Sequence, residues 1–303
     1  MLKRDLASLL RLHRARPERL GRLRAFRVPA CALLLAVAVC TSSAGAADGA
    51  PPATPSAQAL SQPVYGPTWA GYDAIAAAPV AGLRPYFTKV TGAWTQPAAR
   101  CSSSETAQAS VWVGLGGVLD TAAVYGPLQV GTDSDCKHGR AVTYAWYETY
   151  PEPLVRMRLR VAAGDELAAT VSLDASGQPT LTLEDRTRAT GFTKVLRGVH
   201  VRALATNSAE WIVEGPSRSG GVLTDFGSVS FTDATATQAG ASGVHTGSVD
   251  DPAWRYVEPD VLGAGDAGAH QSAVESSAAP GPLAATGDAF TVNFGAAALT
   301  VAP

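Results

Sequence analysis

The chain has 303 residues with 24 Lys or Arg and 26 Asp or Glu, a near-neutral balance that hides a strong asymmetry. Nine of the basic residues fall within the first 27 positions, which leaves the chain beyond residue 48 with a net charge near minus eight. That acidity argues against nucleic acid as a partner, because phosphates would be repelled, and it suits an acidic medium, where protonation of carboxylates relieves self-repulsion.

The basic N-terminal stretch runs into an apolar segment, Ala30 to Cys40, and then into Ala44-Gly45-Ala46, a small-x-small pattern. A charged start, an apolar run too short to span a bilayer and a small-residue cleavage site have the layout of a secretory signal peptide, expected over residues 1–46. Val39 before Cys40 is a poor fit to lipid attachment. Export without stable membrane association after signal removal is the expectation. Residues 47–63, rich in Ala, Pro, Ser and Gln without apolar periodicity, are expected to form a leader or short propeptide.

From Val64 onward the pattern has a period of two. Val90 to Pro97 has the character of a strand. In Val111-Trp112-Val113-Gly114-Leu115 an apolar row of Val111, Val113 and Leu115 leaves Trp112 on the opposite face. Leu128 and Val130 likewise point to a core and Gln129 away from it. Tyr144, Trp146, Glu148 and Tyr150 share one face of the next strand. Val155, Met157, Leu159 and Val161 alternate with Arg156, Arg158 and Arg160, which predicts a strand with a solvated or substrate-flanking arginine row. Alternating segments follow at 167–173, 180–185 and 192–201, separated by Gly, Asp and Pro turns.

In Ser208-Ala209-Glu210-Trp211-Ile212-Val213-Glu214, Trp211 and Val213 share one face, and Glu210, Ile212 and Glu214 the other. Residues 235–288, dominated by Ala, Gly, Ser and Asp, are expected to form a surface excursion anchored by Trp254-Arg255-Tyr256-Val257. A closing strand is expected at 290–294. Short strands at this spacing predict an all-β fold, an antiparallel two-sheet sandwich.

Cys101 and Cys136 are the cysteines that remain once Cys31 and Cys40 are assigned to the signal. A pair in an exported chain is expected to form a disulfide. The alternative, a metal site of Cys136 with Asp133, Asp135 and His138, lacks the spacing of a closed zinc site. No metal or cofactor is expected.

Four blocks in order, WVG at Trp112, LQ-G-D at Gln129, WYE-YP at Trp146 and AEWIVE at Ala209, together with Trp69-Ala70-Gly71-Tyr72 upstream and Phe226 to Phe231 downstream, resemble the glutamic peptidases, or eqolisins. The resemblance covers roughly residues 64–235 and extends to the last strand near Phe290. It implies a lectin-like, concanavalin-type sandwich over 64–303, polypeptide substrates, and a monomer. It also implies Glu210 and Gln129 as catalytic residues, with Trp112, Trp69, Glu148 and Asp133 as substrate-contacting or supporting residues. Gly116 stands where the family pattern usually has an aspartate.

The chemistry that peptide hydrolysis demands is an activated water, a held oxyanion and a proton for the leaving nitrogen. One carboxyl can take the water's proton and pass it on, while a glutamine amide places the water through its oxygen and donates N–H to the oxyanion. Two other functions fit the same residues. One is a carbohydrate-binding sandwich stacking sugars on Trp112, Trp146 and Tyr150, and the other is a glycoside hydrolase pairing Glu210 with Glu148. Gln129 has no use in the latter.

Overall fold

The computed structural model describes residues 60–295, apart from 67, 105, 119–126, 202–204, 217–220 and 264–276. The expected signal peptide and residues 47–59 of the expected leader lie outside them. The chain pairs with the sheet ahead of Val64: Leu60 bridges Val257, and the Ser61 amide donates to the Val257 carbonyl at 2.8 Å.

Sixteen strands are present among the described residues: β1 (Val64–Gly66), β2 (Trp69–Ile75), β3 (Tyr86–Thr95), β4 (Ser110–Leu115), β5 (Leu128–Lys137), β6 (Arg140–Thr149), β7 (Val155–Arg156), β8 (Glu166–Leu173), β9 (Pro179–Asp185), β10 (Thr190–Val195), β11 (Ser208–Glu214), β12 (Ser228–Gly240), β13 (Gly243–Ser248), β14 (Tyr256–Leu262), β15 (Ala278–Pro280) and β16 (Phe290–Phe294). Hydrogen bonding runs in the order β10-β9-β8-β3-β12-β16-β15-β14-β2-β11-β4-β5-β6-β7. Every pairing on this path is antiparallel, and β1 joins β14 in parallel. The sheet curls so that β3, β8 and β9 pack on β4, β5 and β11, giving the expected β-sandwich. No helix among the described residues is long and apolar enough to cross a membrane.

The expected parity holds where it places the core. Val111, Val113, Leu115, Leu128, Val130, Trp211 and Val213 lie in the main buried cluster, whereas Trp112, Trp146 and Ile212 form a second cluster on the opposite face. The two halves meet closely at Gly92, where a Cβ would stand 2.9 Å from Val113 Cγ1 and 3.0 Å from Trp211 Cδ1. Polar ties cross the same interface: the Trp211 indole donates to the Thr91 carbonyl at 2.6 Å and the Gln96 amide to Ser134 Oγ at 2.7 Å.

Two expectations fail. The described residues of 235–288 are not a surface excursion, since β12 continues to Gly240 and β13, β14 and β15 follow, with β14 beside β2 in the interior of the sheet. The cause lies in small side chains: Ala234 and Ala236 are buried on β12, where close packing needs no branched residue, so the usual strand composition is missing. The strand predicted over 155–161 ends at Arg156. Met157, Leu159 and Val161 are nevertheless buried and Arg158 and Arg160 exposed, so the alternation records burial without a ladder; Val155 is exposed.

Cys101 and Cys136 are bonded, with Cα atoms 5.6 Å apart and a separation of 35 in sequence. A loop of that size restricts the unfolded chain by about 4 kcal/mol in the chain-entropy account. Replacing both cysteines with alanine is expected to lower the unfolding free energy by roughly 2 to 4 kcal/mol in denaturant titrations. A loss within error of zero would mean that the bridge does not constrain the chain.

Candidate active site

The face opposite the main core is organised by register into three rows that run across the strands. Directly paired residues share a face, so the first row reads Glu258, Asp73, Glu210, Gly114, Gln129, Glu148 on β14, β2, β11, β4, β5 and β6. Two residues along each strand lies the second row, Gly71, Ile212, Trp112, Gly131, Trp146. The third is Trp69, Glu214, Ser110, Asp133, Tyr144.

Glycines at the middle of the first two rows let the large groups close over them. A Cβ on Gly131 would stand 2.6 Å from Trp112 Cβ and 2.2 Å from the Val111 carbonyl oxygen. One on Gly114 would stand 3.1 Å from Glu210 Oε2 and 2.8 Å from Trp112 Cζ3. The Glu210 carboxyl therefore leans over Gly114 toward Gln129, whose Cα lies two strand spacings away, about 10 Å.

Gln129 is 6% exposed and donates its amide to Glu148 Oε2. That contact fixes which end of the amide is which and leaves Gln129 Oε1 buried with no hydrogen-bond partner. Burial raises Glu148 above the usual carboxyl range, and the Gln129 contact opposes the rise. Glu210 is fully buried, and neither of its oxygens meets a partner at hydrogen-bond geometry. Desolvation pushes its pKa up to about 8 against the nearby Ser208 hydroxyl, while the charge of Asp260 adds to the rise.

The second and third rows support the first. Trp112 is fully buried beneath Trp69, edge to face with ring centroids 5.1 Å apart, and its indole donates to Glu214 Oε2 at 2.9 Å. Trp69 is part-exposed and is the ring that reaches the surface of this cluster. Asp133 accepts from Ser110 Oγ and from the Trp146 indole, both at 2.6 Å, which positions Trp146 from below. Burial raises Asp133 to about 6 and Glu214 to about 7. A part of the site that the sequence did not reveal is the acidic end of the first row. Asp73, Glu258 and Asp260 bring one oxygen each within 4.8 Å of one another. Asp73 and Asp260 are 1% and 6% exposed, and Asp73 Oδ1 and Asp260 Oδ2 have no partner. A shared hydrogen bond links the two; burial raises both, the charge of Asp260 adds to the rise at Asp73, and the bond from Asp73 opposes it at Asp260.

Residues 67–253 match the peptidase A4 family. The chain belongs to that family, the glutamic peptidases. It is 31% identical over 177 residues to Aspergillopepsin-2 of Aspergillus niger, a match that spans 52% of this chain and 62% of that protein. Its fold is similar to that of scytalido-glutamic peptidase, solved with a transition state analog inhibitor, at a TM-score of 0.54 and 23% identity over 75% of this chain and 98% of that one.

With the family established, the rival functions lose their footing in the geometry. Trp112 and Trp146 are buried with their indole N–H groups committed to Glu214 and Asp133, so of the three rings that a sugar could stack on only Tyr150 is exposed. Glu148 and Glu210 lie three strand spacings apart, roughly 14 Å between Cα atoms, with Gln129 between them. The glycine in place of the family aspartate also has a physical basis. Gly116 has φ of 80°, and a Cβ there would stand 2.0 Å from the Ala205 carbonyl oxygen. Gly116→Asp is expected to destabilise the fold by at least about 1 kcal/mol, read as a lowered melting temperature; an unchanged melt would show that the turn accommodates a side chain.

The raised carboxyls predict an unusual pH dependence of stability. Asp73, Asp133, Glu210, Glu214 and Asp260 hold their protons more tightly folded than unfolded. Their contribution is therefore fully present below the ordinary carboxyl range, about pH 4, and is lost as pH rises through the folded-state values, to about 6 for Asp133, 7 for Glu214 and 8 for Glu210. The melting temperature should fall between about pH 4 and pH 8, by on the order of 5 °C or more. Melts that peak near neutrality would contradict this.

Proposed function

We propose that the chain is a secreted acid endopeptidase in which Glu210 performs both proton transfers and Gln129 places the attacking water and holds the oxyanion. The observation that carries this is the alignment of the two residues in one row across Gly114, with both Glu210 oxygens and Gln129 Oε1 buried and unpartnered. Buried polar atoms without partners are rare in folded proteins. Here three of them belong to two residues of one row, separated by Gly114 alone.

The sequence reading has Glu210 take the water's proton and then pass that same proton on. Burial favours the neutral carboxyl in acid, and the two free oxygens give it a different sequence of events. The water oxygen bonds to the scissile carbon while its proton passes to one oxygen of Glu210, and the proton on the other oxygen passes to the scissile nitrogen. The C–N bond then breaks as the carbonyl re-forms, and Glu210 ends neutral, as it began. Gln129 Oε1 accepts from the water, and the amide hydrogen not given to Glu148 is available to the oxyanion. Trp69 and the cluster beneath it form one wall for the substrate, with Asp133 and Glu148 holding Trp146 and Gln129 in place.

Export rests on residues 1–46 and fits the Cys101–Cys136 bridge. Of the expected leader, residues 47–59 are removed with or after the signal, while Leu60 and Ser61 stay with the strand they pair with. The mature protein works as a monomer, without stable membrane association.

Glu210→Gln and Gln129→Glu should each lower kcat on a fluorogenic peptide at least about 100-fold, with circular dichroism unchanged because both side chains lie off the main core. The double variant should lose far less than the product of the two single losses, since groups that act as a unit are non-additive. Turnover of the parent should hold in acid and vanish as pH rises toward the Glu210 value of about 8. A folded single variant with near-parental turnover would overturn the assignment.

A further inference from the structure

The acidic end of the first row has no part in the chemistry just described, yet it abuts it. Asp73 stands directly across from Glu210 in the β2–β11 pairing, with Cβ atoms about 5 Å apart. Glu258 stands across from Asp73 on its other side, and Asp260 lies one row along on the same face of β14. The groups that face Glu210 are thus Asp73 from β2, Glu258 and Asp260 from β14 and Glu214 from its own strand, while β4 contributes only Gly114. All the charged groups among them are acids. Burial is the strongest influence on each of these carboxyls, the Ser208 hydroxyl and then the charge of Asp260 come next at Glu210, and no basic side chain is among the influences.

Two buried carboxyls in contact cannot both ionise without a cation. One holds the proton and donates it to the other, which keeps the charge, as in any carboxylic acid–carboxylate pair. Asp73 is the deeper of the two and lies between acids on both sides, so it holds the proton, and Asp260 carries the charge. This charge acts on Glu258, two residues away on β14, and on Glu210, whose two oxygens are unpartnered.

We propose that Asp73 and Asp260 are a positioning pair that shares one proton, and that the single negative charge they retain sets how far up the pH scale Glu210 remains a proton donor. The proposal rests on Glu210 being the catalytic acid. It assigns the pair no contact with substrate. The charge favours the proton on Glu210 and so extends the working range toward neutrality, beyond what burial alone provides.

The two amide variants make different demands. In Asp73→Asn the amide can replace the carboxylic acid as donor, so Asp260 keeps its charge. In Asp73→Asn/Asp260→Asn the charge is gone. The test is the pH profile of kcat/KM on one peptide for the parent, the single and the double variant, with Glu210→Gln as control and melting curves throughout. The expected result is an upper limb that stays in place for Asp73→Asn and moves down by about half to one pH unit for the double variant, while kcat/KM at the acid plateau changes less than about threefold. A merely structural role would lower the plateau in both variants and move the limb in neither. An unmoved limb in a folded double variant overturns the proposal. So does a rise in melting temperature with millimolar calcium that the double variant lacks, because the acids would then hold a cation in place of a proton. If Glu210→Gln retains turnover, the catalytic assignment itself falls; if it is inactive and the limb of the double variant is fixed, only the role of the pair does.

Discussion

The register of β11 between β2 and β4 is the constraint on which the rest of the site depends. It sets Trp211 and Val213 into the sandwich and turns Glu210, Ile212 and Glu214 to the other face. A slip of one residue would exchange those sets, placing two acids among leucines and valines and a tryptophan in the cleft. The pairing is pinned from both sides by bulk. Trp211 fills the inter-sheet space with its indole tied to Thr91, and Ile212 packs with Trp112 and Trp146 on the outer face. Gly71 opposite Ile212 adds a steric lock, because a Cβ there would stand 2.1 Å from the Trp211 carbonyl oxygen.

What this register assembles is expensive in water at neutral pH. Buried carboxylates lose hydration, and those of the first row gain no compensating cation. Protons supply the compensation, and they are plentiful only in acid. The same desolvation that keeps the proton on Glu210, the proposed donor, therefore makes the fold favour an acidic medium. Stability and reactivity are drawn from one electrostatic source. The net negative charge of the chain beyond the N-terminal segment acts in the same direction over a longer range.

Much of this was legible in the chain because period-two patterning is local. Seven residues around Trp211 suffice to decide which face Glu210 takes, and the same holds for Trp112 and Gln129. The disulfide was legible from counting. The acidic pair was not, although Val257 and Val261 flank Glu258 and Asp260 with the same alternation. Recognising it requires knowing that β14 lies beside β2, a pairing between segments more than 180 residues apart that no local pattern encodes. The surrounding Ala- and Gly-rich composition further disguised β12 to β15 as a loop. The glycine at 116 had the opposite difficulty. Its difference from the family pattern was plain in the sequence, but its cause, the Ala205 carbonyl against a left-handed turn, exists only in three dimensions.

The position of an amide at 129 acquires a reason beyond its hydrogen-bonding capacity. Along the first row, titrating groups occur on both sides of it: Glu148 on β6, and Glu210 with the Asp73–Asp260 pair toward β14. Gln129 bonds to the first and is separated from the second in the row by Gly114 alone, and it does not titrate. An acid at 129 would share a proton with Glu148 and bring a further charge toward Glu210, coupling the whole row into one titrating system whose protonation no single group controls. A neutral amide keeps the ends separate. Glu148 can then fix the amide's orientation in whichever state it occupies, and the proton on Glu210 answers to its own burial and to the acids beyond it.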